Sequence, residues 1–139
     1  MEYDFDSEEF KNSSTYKTFI NNNSGKGVLK IEASTASEAY PLKGVEIIIS
    51  KVLGNNKIIF YRGSTNDSGI IDEIILPTKE INREINDVSD IVFTTYDLLA
   101  SYPEYDLSKK YDVTIFDNIK VIQPITFSVT ELIEGDQDE

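Results

Sequence analysis

Residues 40–77 decide the fold. They read Tyr40-Pro41-Leu42-Lys43-Gly44-Val45-Glu46-Ile47-Ile48-Ile49, a second apolar run at 58–61, the turn Thr65-Asn66-Asp67-Ser68-Gly69, and a third run closing on Leu76-Pro77. Short apolar runs rich in isoleucine and bounded by Gly, Pro, Asn and Asp are strands punctuated by turns. Within 45–52, Val45, Ile47 and Ile49 fall on one face and Glu46, Ile48 and Ser50 on the other. Gly54-Asn55-Asn56 signals a hairpin into a strand over 57–62. In 65–69, Asp67 or Ser68 is expected to bond the backbone and Gly69 to take positive φ.

Outward from this stretch the same pattern continues. Leu29, Ile31 and Ala33 alternate with Lys30 and Glu32, giving a strand over 27–34. Further strands are expected over 70–76, 91–100, 111–116 and 119–129, with Asp117-Asn118 as a turn. Pro124 cannot donate a ladder bond and marks an edge or a bulge. Residues 78–90 read as a crossing loop or one to two helical turns. Seven short strands at fairly even spacing predict an all-β, antiparallel two-sheet sandwich.

Residues 1–26 precede it as a lead helix or an extended arm, with Ser7 a fair N-cap and Ser13-Ser14-Thr15 an interruption in propensity. The sandwich is expected over 27–133 and an acidic tail over 134–139.

Composition narrows the chemistry. The chain has 139 residues, no Cys and no His. Ser-His-Asp triads, Cys-His nucleophiles and the usual zinc sites all require imidazole or thiolate. No glycine-rich phosphate loop is present, so the chain is expected not to be an enzyme, and no catalytic, cofactor or metal residue is assigned. The formal net charge of −12, from 25 acids and 13 bases, opposes binding to nucleic acid, which needs a basic surface. No apolar stretch reaches membrane-span length. The acidic start, Met1-Glu2-Tyr3-Asp4-Phe5-Asp6, lacks the basic and apolar regions of a signal peptide, so synthesis in the cytoplasm is expected. Heavy use of Ile, Asn, Lys and Tyr suggests AT-rich coding, as in a low-GC bacterium or its phage.

At Gly27/Leu29/Ile31, Pro41/Leu42/Gly44/Val45, Thr65-Asn66-Asp67-Ser68-Gly69 and Tyr102/Tyr105 the chain resembles the carboxypeptidase regulatory-like domains. These are transthyretin-like (prealbumin-like) β-sandwiches of about seven strands. Glu104 stands where that pattern has Gly. The segments Thr95-Tyr96-Asp97-Leu98 and Ile115-Phe116-Asp117-Asn118-Ile119-Lys120-Val121-Ile122-Gln123-Pro124-Ile125 are similar to those in accessory domains of clostridial spore cortex-lytic enzymes and phage-like proteins, with Asn118 replacing a Gly. The resemblance implies a non-catalytic sandwich that braces an enzyme or mediates contacts. Protein subunits, self or other, are then the expected partners in a phage, phage-tail-like or spore-associated particle. The alternative is an accessory module partnering a peptidoglycan hydrolase.

Three constellations complete the reading. Lys30 and Asn118 are the nominal pair for the isopeptide bond of pilin-type sandwiches, but alternation places Lys30 opposite Leu29 and Ile31, and Asn118 lies in a turn. The acidic pairs Asp72/Glu73 and Asp87/Asp90 are expected by chance among 25 acids, and the 65–69 loop lacks a ligand ladder for calcium. The third is surplus apolar surface: Ile48, one of Ile58 or Ile59, and one face of 70–75 exceed what one buried face uses. The residues expected to bind a partner are therefore Phe10, Tyr16 and Phe19 on the arm, with Ile48 on the sheet.

Overall fold

The alternation of Leu29, Ile31 and Ala33 becomes the spine of the smaller of two sheets. A computed structural model describes residues 1–36, 40–81 and 92–128. In chain order the elements are β1 (Glu2–Asp4), α1 (Glu8–Lys11), α2 (Ser14–Asn22), β2 (Gly25–Thr35), β3 (Glu46–Leu53), β4 (Asn56–Ser64), β5 (Ile70–Thr78), β6 (Thr94–Tyr102), a 3₁₀ turn at Pro103–Tyr105, β7 (Leu107–Ile115) and β8 (Lys120–Phe127). One sheet has the order β1-β4-β3-β6-β7 and the other β5-β2-β8. The inner faces meet over Leu29, Ile31, Ile47, Ile49, Leu98, Ile115 and Ile125, all at most 1 % exposed.

The all-β sandwich expected from the strand pattern is thus present, with two corrections. Eight strands are found among the described residues, because the arm contributes β1. The sandwich is also not wholly antiparallel: β1 runs parallel to β4 and β8 parallel to β2. The second follows from the turn after β7. Asn118 takes φ 60°, and its N–H donates to Lys26 O at 2.8 Å. The chain thereby crosses to the other sheet and starts β8 alongside β2, both running the same way. Asn tolerates this left-handed turn, as the sequence implied. Pro124 lies on β8, an edge strand, where its missing donor costs no ladder bond.

The motifs 41–45 and 65–69 close one end of the sandwich together. Thr65, 4 % exposed, donates from Oγ1 to Leu42 O at 2.6 Å and accepts there from Val45 N–H at 3.0 Å. Gly69 sits at φ +74°, and a Cβ on it would lie 2.3 Å from Ala33 O, so the turn requires glycine. The side chain that organises this turn is Asn66, not Asp67 or Ser68: its Oδ1 accepts from Ser68 N–H at 2.9 Å and Ile70 N–H at 3.0 Å. Asp67 points to solvent and pairs with Lys43 at 3.0 Å.

Two register shifts interrupt the strands that carry the surplus isoleucines. In β4 the pairing moves from Ile49↔Tyr61 to Ser50↔Ile59, leaving Phe60 as the extra residue. Both Ile58 and Ile59 end up buried, at 0 % and 5 % exposure, with β1 alongside as their partner strand. In β5 a shift opposite Leu29/Ile31 leaves Asp72 and Glu73 both exposed between inward Ile71 and Ile74. They do not point to opposite faces, as simple alternation requires. Asp87 and Asp90 lie outside the described residues, as do most of 78–90 and the tail.

Candidate interaction surfaces

The arm is built from two serine-capped turns. Ser7 Oγ accepts from Phe10 N–H at 3.3 Å and starts α1. Ser13 Oγ accepts from Tyr16 N–H at 3.2 Å and donates to Phe10 O at 2.6 Å, so it ends α1 and starts α2. The interruption at Ser13 is therefore a corner between two helices. Before it, Tyr3 lies on β1 and Phe5 just past its end, and Phe5 N–H donates to Ile59 O at 2.8 Å.

This geometry turns the arm's rings inward. Phe5 stacks on Phe60 at 4.5 Å between centroids and meets Tyr16 at 5.5 Å, Phe10 at 6.0 Å and Phe19 at 6.1 Å. Phe60 in turn packs edge-on against Tyr96 at 4.9 Å. A continuous file of aromatic rings thus runs from the arm into the core, each contact adding to simple area burial. Phe10 and Phe19, expected as anchors for a partner, are 3 % and 6 % exposed within this chain. Tyr16 and Ile48 are half-buried. The structure brings Phe10, Tyr16 and Phe19 into one cluster; Ile48 lies elsewhere, on the outer face of the larger sheet between Arg62 and Leu99. Phe5, the hub of the cluster, was not among the expected residues. The Tyr3-x-Phe5 alternation, of period two, was its signal.

A buried polar lock fixes the junction of arm and sandwich. Asn23, 7 % exposed, donates from Nδ2 to Phe19 O at 2.9 Å and accepts from Thr94 Oγ1. Ser24 Oγ donates to Glu80 at 3.0 Å. At the same end Tyr96 OH donates to Pro77 O, and Asp117 accepts from the N–H groups of Lys26 and Ile81.

The outer face of the smaller sheet carries an apolar strip that Lys30 and Lys120 interrupt. Ile75 on β5 lies opposite Val28 on β2, and Ile122 on β8 lies opposite Lys30. Ile75 is 57 % and Ile122 54 % exposed. Lys30 sits on this outer face, paired with Glu32 at 3.2 Å, and its register partner is Ile122, four residues from Asn118. The isopeptide pair is not brought together. Where the strip meets the arm, Phe5, Ile20, Ser24, Ile75 and Pro77 line a shallow groove.

Among the described residues no group of three or more acidic side chains converges to hold a metal. Among the described residues the shifted groups are tyrosines: burial pushes the Tyr96 phenol far above its usual range, and raises Tyr61 and Tyr102 as well. Such phenols stay neutral and serve as core side chains with a hydrogen-bonding tip. Among the described residues no helix is long and apolar enough to cross a membrane.

The chain matches no protein-family model and no curated protein. Among solved structures, 5-hydroxyisourate hydrolase of Klebsiella pneumoniae aligns with a TM-score of 0.47 at 17 % identity, covering 72 % of this chain and 90 % of that one. BcpA, the major pilin subunit of Bacillus cereus, aligns with a TM-score of 0.44 at 14 % identity, covering 75 % of this chain and 30 % of that one. The class defined by the strands themselves is a two-sheet β-sandwich of five and three strands, consistent with transthyretin-like architecture.

Proposed function

We propose that this chain is a non-catalytic structural module that holds protein subunits together in a multi-subunit assembly. The observation that carries the reading is the pair of exposed isoleucines on the outer face of the smaller sheet, Ile75 beside half-buried Val28 and Ile122 diagonal to it, with Lys30 and Lys120 between. Single exposed residues of this kind are unremarkable; two on one sheet face, bridged by a third apolar side chain, form a small patch suited to a protein contact. The occupant is a protein surface rather than nucleic acid or an anionic bilayer, since the chain carries −12 overall. The resemblance to accessory domains of phage-like and spore-associated proteins makes a particle of that kind the favoured setting.

The test is sedimentation velocity on the wild-type chain and on Ile75→Asp/Ile122→Asp. Both positions are solvent-exposed, so the variant is expected to keep the wild-type circular dichroism. Near millimolar concentration the wild type is expected to form species heavier than a monomer, and the variant to lose them. Association of equal strength in both would refute the strip as the contact.

A further inference from the structure

We infer that the arm is exchangeable: the groove that holds residues 1–22 of one chain takes the same segment from a second copy. This rests on the assembly reading above and names its partner. Four observations lead to it. First, the arm is the last layer at one edge. β1 lies outside β4 in the larger sheet, so the arm can leave without separating any other pair of strands. Second, its complementarity to the groove is visible in the closed chain. Phe5 on Phe60, Phe19 on Phe60, and the β1–β4 pairing would form identically whichever copy supplied the arm. Third, the connection is short. α2 ends at Asn22 and β2 begins at Gly25, leaving Asn23 and Ser24 as the crossing point, where a swap must reopen the buried bonds of Asn23 to Phe19 O or Thr94.

Fourth, the hinge borders the strip. Ser24 lines the same shallow groove as Ile75 and Pro77. A second copy seated on the strip therefore lies where a crossing arm must pass. Apart from the lock at Asn23, the contacts are the same in cis and in trans, so the closed form is favoured mainly by its effective concentration, about millimolar for a short tether. Exchange is then negligible in dilute solution and dominant between subunits packed side by side. It also gives the buried aromatics Phe10 and Phe19 a role between subunits that their burial in a single chain otherwise hides.

The chain has no cysteine, so a designed pair reads the exchange directly. Glu2 and Lys57 are register partners on β1 and β4, exposed, with carboxylate and amine 4.0 Å apart. Neighbouring strands of this spacing accept a disulfide. Equal amounts of unlabelled and nitrogen-15-labelled Glu2→Cys/Lys57→Cys chains are mixed in urea, refolded at a series of concentrations, and oxidised. Mass spectrometry then scores the peptide joining positions 2 and 57.

Hybrid light–heavy peptides are expected to be rare at micromolar concentration. They should approach their statistical share by about 1–5 mM. Single-isotope peptides alone at every concentration would overturn the proposal. If no disulfide forms, carbodiimide coupling of native Glu2 to Lys57 in the same isotope mixture gives the same readout. Absence of hybrids, with strip-dependent heavy species still seen in sedimentation, would reject exchange while leaving the assembly reading standing.

Discussion

Replacing Thr65 by Val tests whether the corner between residues 41–45 and 65–69 holds the sandwich shut. Valine keeps the shape and the β-branch and removes only the hydroxyl. That hydroxyl serves two buried groups at once, the Leu42 carbonyl at 2.6 Å and the Val45 N–H at 3.0 Å. With Thr65 at 4 % exposure, Val45 at 0 % and Leu42 at 7 %, water cannot take its place. A buried group left without a partner costs about 1–3 kcal/mol, so two give about 2–6 kcal/mol. The added methyl returns less than about 1 kcal/mol.

The assay is urea unfolding followed by circular dichroism. With a slope of about 1–3 kcal/mol/M for a domain of this size, the midpoint should fall by about 1–3 M. Thr65→Ser keeps both bonds and should lie within about 1 kcal/mol of wild type. A Thr65→Val chain within about 0.5 kcal/mol of wild type would refute the reasoning, since that is the scatter of neutral surface changes.

The remaining predictions concern the turn, the arm and the core. Asn66→Ala should cost about 1–2 kcal/mol, because two N–H groups lose their acceptor, while Asp67→Ala should stay within about 0.5 kcal/mol; thermal melts compare them. Phe19→Ala should cost about 3–5 kcal/mol in urea unfolding, as expected for a ring buried in its own domain. Burial holds the Tyr96 phenol above its ordinary value of 10.0, so its contribution is complete below that pH. It is lost as pH rises further, where only the unfolded chain ionises. Tyr96→Phe should flatten this alkaline decline in unfolding free energy. With each copy carrying −12, self-association should strengthen between low salt and about 0.15 M, where repulsion is screened beyond about 8 Å.

Much of the sandwich was legible because its strands alternate cleanly and its turns use residues with fixed conformational demands. Leu29/Ile31/Ala33, Val45/Ile47/Ile49 and Gly69 each point one way. What the sequence hid depends on pairing between distant segments. The shift at Phe60, which breaks the alternation of β4, lies in its pairing with β3, and nothing local to β4 announces it. The parallel β8 follows from which sheet the chain joins after Asn118.

The arm shows the same limit from another side. Its aromatics were readable as anchors, but sequence does not say what they anchor to. Phe10 and Phe19 close on the chain's own sandwich because Ser7 and Ser13 fold the arm back onto β4. Ser50, read as outward, does face outward, yet it is only 7 % exposed between Ile59 and Asp97 on the adjacent strands. Likewise Asn66 and Asp67 are adjacent and chemically alike, and only the fold of the turn selects the first as its acceptor.

The absolute molar mass of the native chain by light scattering, from micromolar to millimolar concentration, tests the central claim most directly. The account predicts a mass near 15.7 kDa in dilute solution, rising to at least twice that value as concentration approaches the effective concentration of the arm, about millimolar. A mass of 15.7 kDa across the whole range, at low and at physiological salt, would contradict self-assembly through the strip and the arm.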